Sequence, residues 1–202
     1  MAGFFVPAGV CFSPGLADLY AARAYTRGGP RLPNRNLPSI KLFEPWVFDM
    51  SLESVRAFFA AHAPDIDVIV TQASSATVML AAEAHGVLPA QIAKTICLRV
   101  GDRAMLVVTS GIARLDNRKF KDQFGGKPRM LDAAEVVEAT SHPVGGVCPF
   151  GLPAPLPVYC DVSLREFDEV VPAAGSTNAA VRIAPQRMVE ITGAEWVDVC
   201  QR

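Results

Sequence analysis

Lys94 is the residue with the sharpest chemical question attached to it. It lies in "AQIAKTICLRV", residues 90 to 100. From Thr95 to Val100 this stretch reads as a strand: period-two alternation puts Ile96, Leu98 and Val100 on one face and Thr95, Cys97 and Arg99 on the other. Counting back from Ile96 places Lys94 on the apolar face, at the strand's mouth. An ordinary lysine there rests its stem on apolar surface and keeps its head in water. Here the side chain points inward, the strand offers no acid to pair with it, and a glycine-rich loop follows later that could face it. An ammonium partly removed from water, with no carboxylate, suits an anion or a polarised oxygen. A Schiff-base role is open to such an amine, but nothing in the chain signals a pyridoxal or aldolase site.

The loop is "HPVGGVCPFG", residues 142 to 151. Adjacent Gly145 and Gly146 let backbone N–H groups, including that of Val147, come close to a carbonyl oxygen or a developing oxyanion. The same glycines would serve an ordinary surface turn. Neither a Walker A loop nor a G-x-G-x-x-G fingerprint is present. His142, beside a proline at a helix end, reads as a cap before it reads as a base. A third stretch, "AAGSTNAAVRI", sets Gly175, Ser176, Thr177 and Asn178 between apolar runs as a polar turn. A fourth set, Arg114, Arg118, Lys119 and Lys121, makes a basic helix face that could hold phosphates.

These residues need elements to hold them. "SLESVRAFFAAH" reads as a helix with Ser51 as N-cap and Leu52, Val55, Phe58 and Phe59 as its apolar stripe. "DVIVTQ" is a short strand, and "SSATVMLAAEAHG" a second helix closed by Gly86. Gly101-Asp102 is a hairpin turn that returns "RAMLVVTSG" against the Lys94 strand. "RLDNRKFKDQFGG" is a basic helix capped by Asp116 and stopped at Gly125, and "LDAAEVVEATSH" a helix with Asp132 and Glu135 at capping-box spacing. "LPVYCDVSL" is a strand, "EFDEVVPAAGSTNAAVRI" (residues 166–183) is strand, turn, strand, "APQRMVEITG" is a closing helix and "EWVDVC" a last strand. Helices interspersed with tight hairpins predict an α+β fold with a mixed sheet, rather than a doubly wound parallel one.

Composition narrows the classes. The chain has 202 residues, 50% hydrophobic and 19% charged, with a net charge of −1. That suits a globular domain and offers no general basic excess for nucleic acid, so any such contact must be local. Five cysteines, none in a C-x-x-C pair, suggest reduced thiols in the cytoplasm. Three histidines without zinc spacing give no metal site, and no apolar run reaches bilayer length. Residues 1–49 stand apart. They carry +2 against −3 for the rest and hold Gly and Pro every few residues, which predicts a poorly ordered arm or a chain whose true start is Met50. The ordered domain is then 50–202.

Taken together, "IAKTICLRV", "LDNRKFK", "HPVGGVCPFGL" and "AAGSTNAAVRI" resemble, in order and spacing, the YbaK/prolyl-tRNA-synthetase editing-domain superfamily over about residues 51–200. The resemblance implies a curved mixed sheet, partly closed like a barrel and surrounded by helices. It implies hydrolysis of the ester that joins a wrong amino acid to tRNA, without cofactor or metal. Its partners would be the tRNA acceptor end and an aminoacyl-tRNA synthetase. Lys94 matches the family's substrate-positioning lysine; Gly145, Gly146 and Val147 match the loop that holds the ester. Gly175, Ser176 and Asn178 match the turn that closes the pocket, and Arg114, Arg118, Lys119 and Lys121 would meet the acceptor stem. Members near YbaK itself tend to carry Ser-Gly-Gly and a basic pair where this chain has Ala173 to Thr177. The chain looks more like the YeaK-like stand-alone branches, which handle alanine, serine or threonine. A binding module of the same fold, without hydrolysis, is the alternative.

Overall fold

The computed structural model describes the backbone of residues 46–201 and the side chains of 51–201. Most of the expectation for residues 1–49 lies outside these. The first helix, α1, runs Trp46–His62. Ser51 is therefore inside a helix and not at its N-cap. Its hydroxyl donates instead to the Gly175 carbonyl at 2.7 Å, a contact across 124 positions of sequence. The local capping signal is overridden because the residues before Ser51 are themselves helical. The expected stripe is present: Val55 and Phe59 are in the main core, with Leu52 and Phe58 packed against it.

The other helices end where their caps predict. In α2 (Val78–His85) the Thr77 side chain accepts from the Leu80 N–H, and Gly86 closes the helix at φ 64°. Asp116 accepts from two N–H groups at the head of α3 (Asn117–Phe124), and Gly125 stops it at φ 76°. Asp132 and Glu135 form the expected capping box at α4 (Ala133–Thr140). α5 (Pro185–Thr192) starts on a proline and ends at Gly193. Each such cap satisfies backbone groups the helix leaves open, at about 1 kcal/mol.

The sheet is mixed. β2 (Ile92–Val100) and β3 (Arg103–Ser110) form the expected hairpin, Lys94 opposite Thr109. β3 then pairs in parallel with β5 (Val158–Asp161), and β5 with β8 (Glu195–Val197). The outer edge of β2 is shared by two short strands: antiparallel β4 (Arg129–Met130) at Leu98 and Arg99, and parallel β6 (Val171–Pro172) at Ile92 and Ala93. A separate small sheet pairs β1 (Ile69–Val70) with β7 (Ala179–Ala180). The predicted strand–turn–strand after Phe167 is present but short, its arms linked through Val170–Ile183 and Ala173–Ala180 bridges.

Both faces of β2 are covered. Ala93 and Cys97 belong to the main core with Cys148 and Phe150. Leu98, with Ile96 and Val100 beside it, joins a second cluster under α3 around Phe120. Phe120 is fully buried, and cutting it to alanine would cost about 3–5 kcal/mol. It fixes the basic helix to the sheet by its single apolar side, leaving Arg118 and Lys121 outward.

Candidate functional site

Between its two short partners, β2 leaves an edge open from Lys94 to Ile96. A cavity of about 270 Å³ lies there. Every consecutive residue from Ile92 to Cys97 lines it. A groove on one face of a strand would touch alternate residues only, so this cavity sits at the strand's edge. Its walls come from Ser75 to Val78 at the head of α2, from Val144, Gly145 and Val147, and from Leu131 and Val136. Ala173, Ala179 and Ala180 complete it, so much of the lining is small and apolar.

Lys94 lines this cavity as expected, and is half-buried. Its Nζ donates to the carbonyls of Gly111 at 3.3 Å and Ala113 at 3.0 Å, just beyond β3. Those two bonds leave one donor of the ammonium. Burial lowers its pKa below the ordinary lysine value; nearby Cys200 opposes the shift and Arg114 adds to it. The amine is anchored by neutral oxygens, and no carboxylate among the described residues bonds to it.

The glycine loop does something the sequence did not suggest. Gly145 has φ 89°, and a Cβ on it would come within 2.9 Å of the Ala76 side chain and 3.0 Å of its carbonyl oxygen. A Cβ on Gly146 would meet the Ser176 backbone at 2.8–2.9 Å. The Gly146 N–H is bonded to the Pro143 carbonyl at 2.8 Å, and its own carbonyl accepts from the Gly175 N–H at 3.1 Å. The pair of glycines therefore lets three loops close on one another. Gly145 and Val147 face the cavity; Gly146 is locked in the wall.

Gly175, Ser176 and Asn178 stand behind that wall and are not among the cavity's lining. Ser176 donates to the Asn178 side-chain oxygen at 2.6 Å, and Asn178 Nδ2 to the Thr71 carbonyl at 3.0 Å. The Ser75 N–H bonds the Thr177 carbonyl at 2.6 Å. The turn thus braces the head of α2 against the glycine loop.

His142 and Cys148 are completely buried at the two ends of that loop, with Nδ1 and Sγ 3.6 Å apart. Burial pushes His142 down to about 4 and Cys148 up to about 12. Both are held neutral, the reverse of an activated thiolate–imidazolium pair. The pair is structural: His142 Nδ1 accepts from the Cys148 N–H at 3.4 Å.

In the basic set, Lys119 is engaged by Asp198 at 2.6 Å and the Cys200 carbonyl at 2.9 Å. Arg114, Arg118 and Lys121 are exposed. Sequence reasoning missed Ser75, Thr77 and Thr95. Alternation places Thr95 on the face opposite Lys94 but carries no sign that the strand beside it stops. Its Oγ1 is shut off from solvent and has no hydrogen-bond partner among the described residues.

Comparison with known proteins agrees with this architecture. The sequence pattern of the family described as "Aminoacyl-tRNA editing domain" matches residues 72–191. A Bacillus subtilis (strain 168) protein, YwhH, itself uncharacterized, is 46% identical over 154 residues, covering 75% of this chain and 98% of YwhH. A crystal structure of a "putative trans-editing enzyme for prolyl tRNA synthetase" superposes with a TM-score of 0.70 at 33% identity, over 75% of this chain and 98% of that one. The hypothetical protein APE2540 gives 0.68 at 32% identity, over 73% and 99%. The cavity walls supplied by α2, β2 and the glycine loop all fall inside the matched stretch, and the chain belongs to the aminoacyl-tRNA editing domain family.

Proposed function

We propose that this protein is a trans-acting deacylase that hydrolyses the ester of tRNA mischarged with a small amino acid of the alanine, serine or threonine kind. The observation that carries the reading is the cavity at the β2 edge: small, alanine-lined, and bordered by a lysine without a carboxylate partner among the described residues. In the reaction, water oxygen bonds to the ester carbonyl carbon, the bond to the ribose oxygen breaks, and that oxygen leaves with a proton. The ester is already activated, so positioning the water and stabilising the oxyanion supply most of the rate, about 10²–10³ for one fixed donor. Lys94 positions the substrate through its remaining N–H or through its charge. A small cavity suits a second sieve, since a synthetase separates residues differing by one methylene only about 10–200-fold. Arg114, Arg118 and Lys121 would meet acceptor-stem phosphates, with Lys119 already shared with Asp198.

One observation favours a binding module without hydrolysis. The Gly146 N–H, expected to help hold an oxyanion, is bonded to Pro143. The deciding experiment is deacylation of tRNAs carrying Ala, Ser, Thr, Cys and Pro by the wild type and Lys94→Ala. Selective hydrolysis that falls about 10²–10³-fold in the variant supports the deacylase. Binding without hydrolysis of any of the five supports the module.

A further inference from the structure

The open edge of β2 has a defined polarity. Leu131, just past β4, donates its N–H to the Cys97 carbonyl at 3.3 Å. In an antiparallel ladder the N–H and C=O of one residue point to the same side, and the side alternates along the chain. Thr95, two residues before Cys97, therefore points both groups outward, toward the cavity. The β4 register pairs Leu98 with Met130 and Arg99 with Arg129, so the next outward rung would bring position 133 opposite Thr95. The chain is not there: Asp132 caps α4 and the backbone turns away. From the other end, β6 leaves β2 after Pro172, as Ala173 and Ala174 turn to bond Ala180 and Ala179. One rung of the sheet is missing, and the cavity occupies its place. The unpartnered hydroxyl of Thr95 lies at the same position.

We infer that the Thr95 main chain is the substrate-binding element that fills this rung with the aminoacyl group itself. This rests on the deacylase reading above and assigns its substrate contacts. An aminoacyl ester is one residue long, with an α-ammonium donor and a carbonyl acceptor. In extended form it has the donor and acceptor that a single antiparallel rung requires. The α-ammonium donates to the Thr95 carbonyl, and the Thr95 N–H donates to the ester carbonyl oxygen, where charge develops on attack. The amino-acid side chain then leaves the plane of the sheet and meets Ala173, Ala179 and Ala180. Recognition of the common backbone and exclusion by size become two separate tasks of one site.

The test uses two adenosine analogues that resist hydrolysis: 3′-deoxy-3′-(L-alanylamino)adenosine and its lactyl counterpart, in which a hydroxyl replaces the α-ammonium. Titration of each into the ¹⁵N-labelled full chain reads the Thr95 amide directly. The inference expects the Thr95 amide proton to move downfield with the alanyl analogue, and the lactyl analogue to bind about 10- to 100-fold more weakly, the loss of one charged hydrogen bond. An alanyl analogue that shifts Gly145 and Val147 but leaves Thr95 unmoved, or a lactyl analogue that binds equally well, overturns the rung while wild-type hydrolysis of alanyl-tRNA still stands. Absence of both binding and hydrolysis of the tRNA panel overturns the deacylase reading, and the rung with it.

Discussion

Gly146 and Ser176 are packed backbone to backbone: a Cβ on Gly146 would lie 2.8 Å from the Ser176 carbonyl carbon, and the Gly146 carbonyl accepts from the neighbouring Gly175 N–H at 3.1 Å. The obstacle is main chain, which cannot swing aside as a long side chain would. Gly146→Ala is expected to cost about 1–3 kcal/mol and to reduce deacylation by opening the wall between the glycine loop and the turn. Gly126→Ala is the comparison: its Cβ would meet only the Val100 side chain, at 2.7 Å. Urea unfolding of both variants measures the difference.

Ser51 ties α1 to the same turn. Its buried hydroxyl donates to the Gly175 carbonyl. Ser51→Ala leaves that carbonyl without this donor, with an expected loss of about 1–3 kcal/mol. Denaturant midpoints at constant m-value report it. An unchanged midpoint would mean the turn is held without α1.

His142 sets an acid limit. Its folded pKa is lowered to about 4 by burial, against an ordinary 6.5. Below 6.5 the unfolded chain takes up the proton first, so the contribution is complete above 6.5 and is lost as pH falls toward 4. The loss over that window is about 3 kcal/mol. Glu135, lowered to about 2 chiefly by Arg129, acts only below 4.5. Stability measured between pH 7 and 4.5 should therefore fall in the wild type and fall less in His142→Gln, the remaining slope belonging to His85, whose pKa burial also lowers.

The basic helix gives a salt test. Arg118→Ala and Lys121→Ala should each weaken tRNA binding and reduce the slope of log affinity against log salt by about 1. Lys119→Ala should change the slope less, because Asp198 already neutralises that amine at 2.6 Å. Equal slopes for all three variants would remove Lys119's ion pair from the account.

What the sequence made legible was local. Caps at Asp116 and Asp132 and stops at Gly86 and Gly125 depend on residues within a turn of one another, and each stands where the sequence puts it. The alternation of β2 was legible too, since Cys97 and Leu98 fall in different clusters. Ser51 misled because its partner is Gly175, far along the chain. The positions of Gly145 and Gly146 were readable, yet their reason was not: it lies in Ala76 and Ser176, brought there by the fold. Thr95 was hidden for the same cause. An open rung is made by two other strands ending, and nothing in the residues beside Thr95 records where they end.

The open edge of β2 also carries a hazard. Exposed strand edges recruit strands from other molecules and seed aggregation. Here the opening spans three residues, Lys94 to Ile96, and β4 and β6, two residues each, stand at either end. A foreign strand would have to displace one of them, and Pro172 in β6 removes an N–H from the line that such a strand would extend. The same gap that is wide enough for one residue is too short to template a fibre.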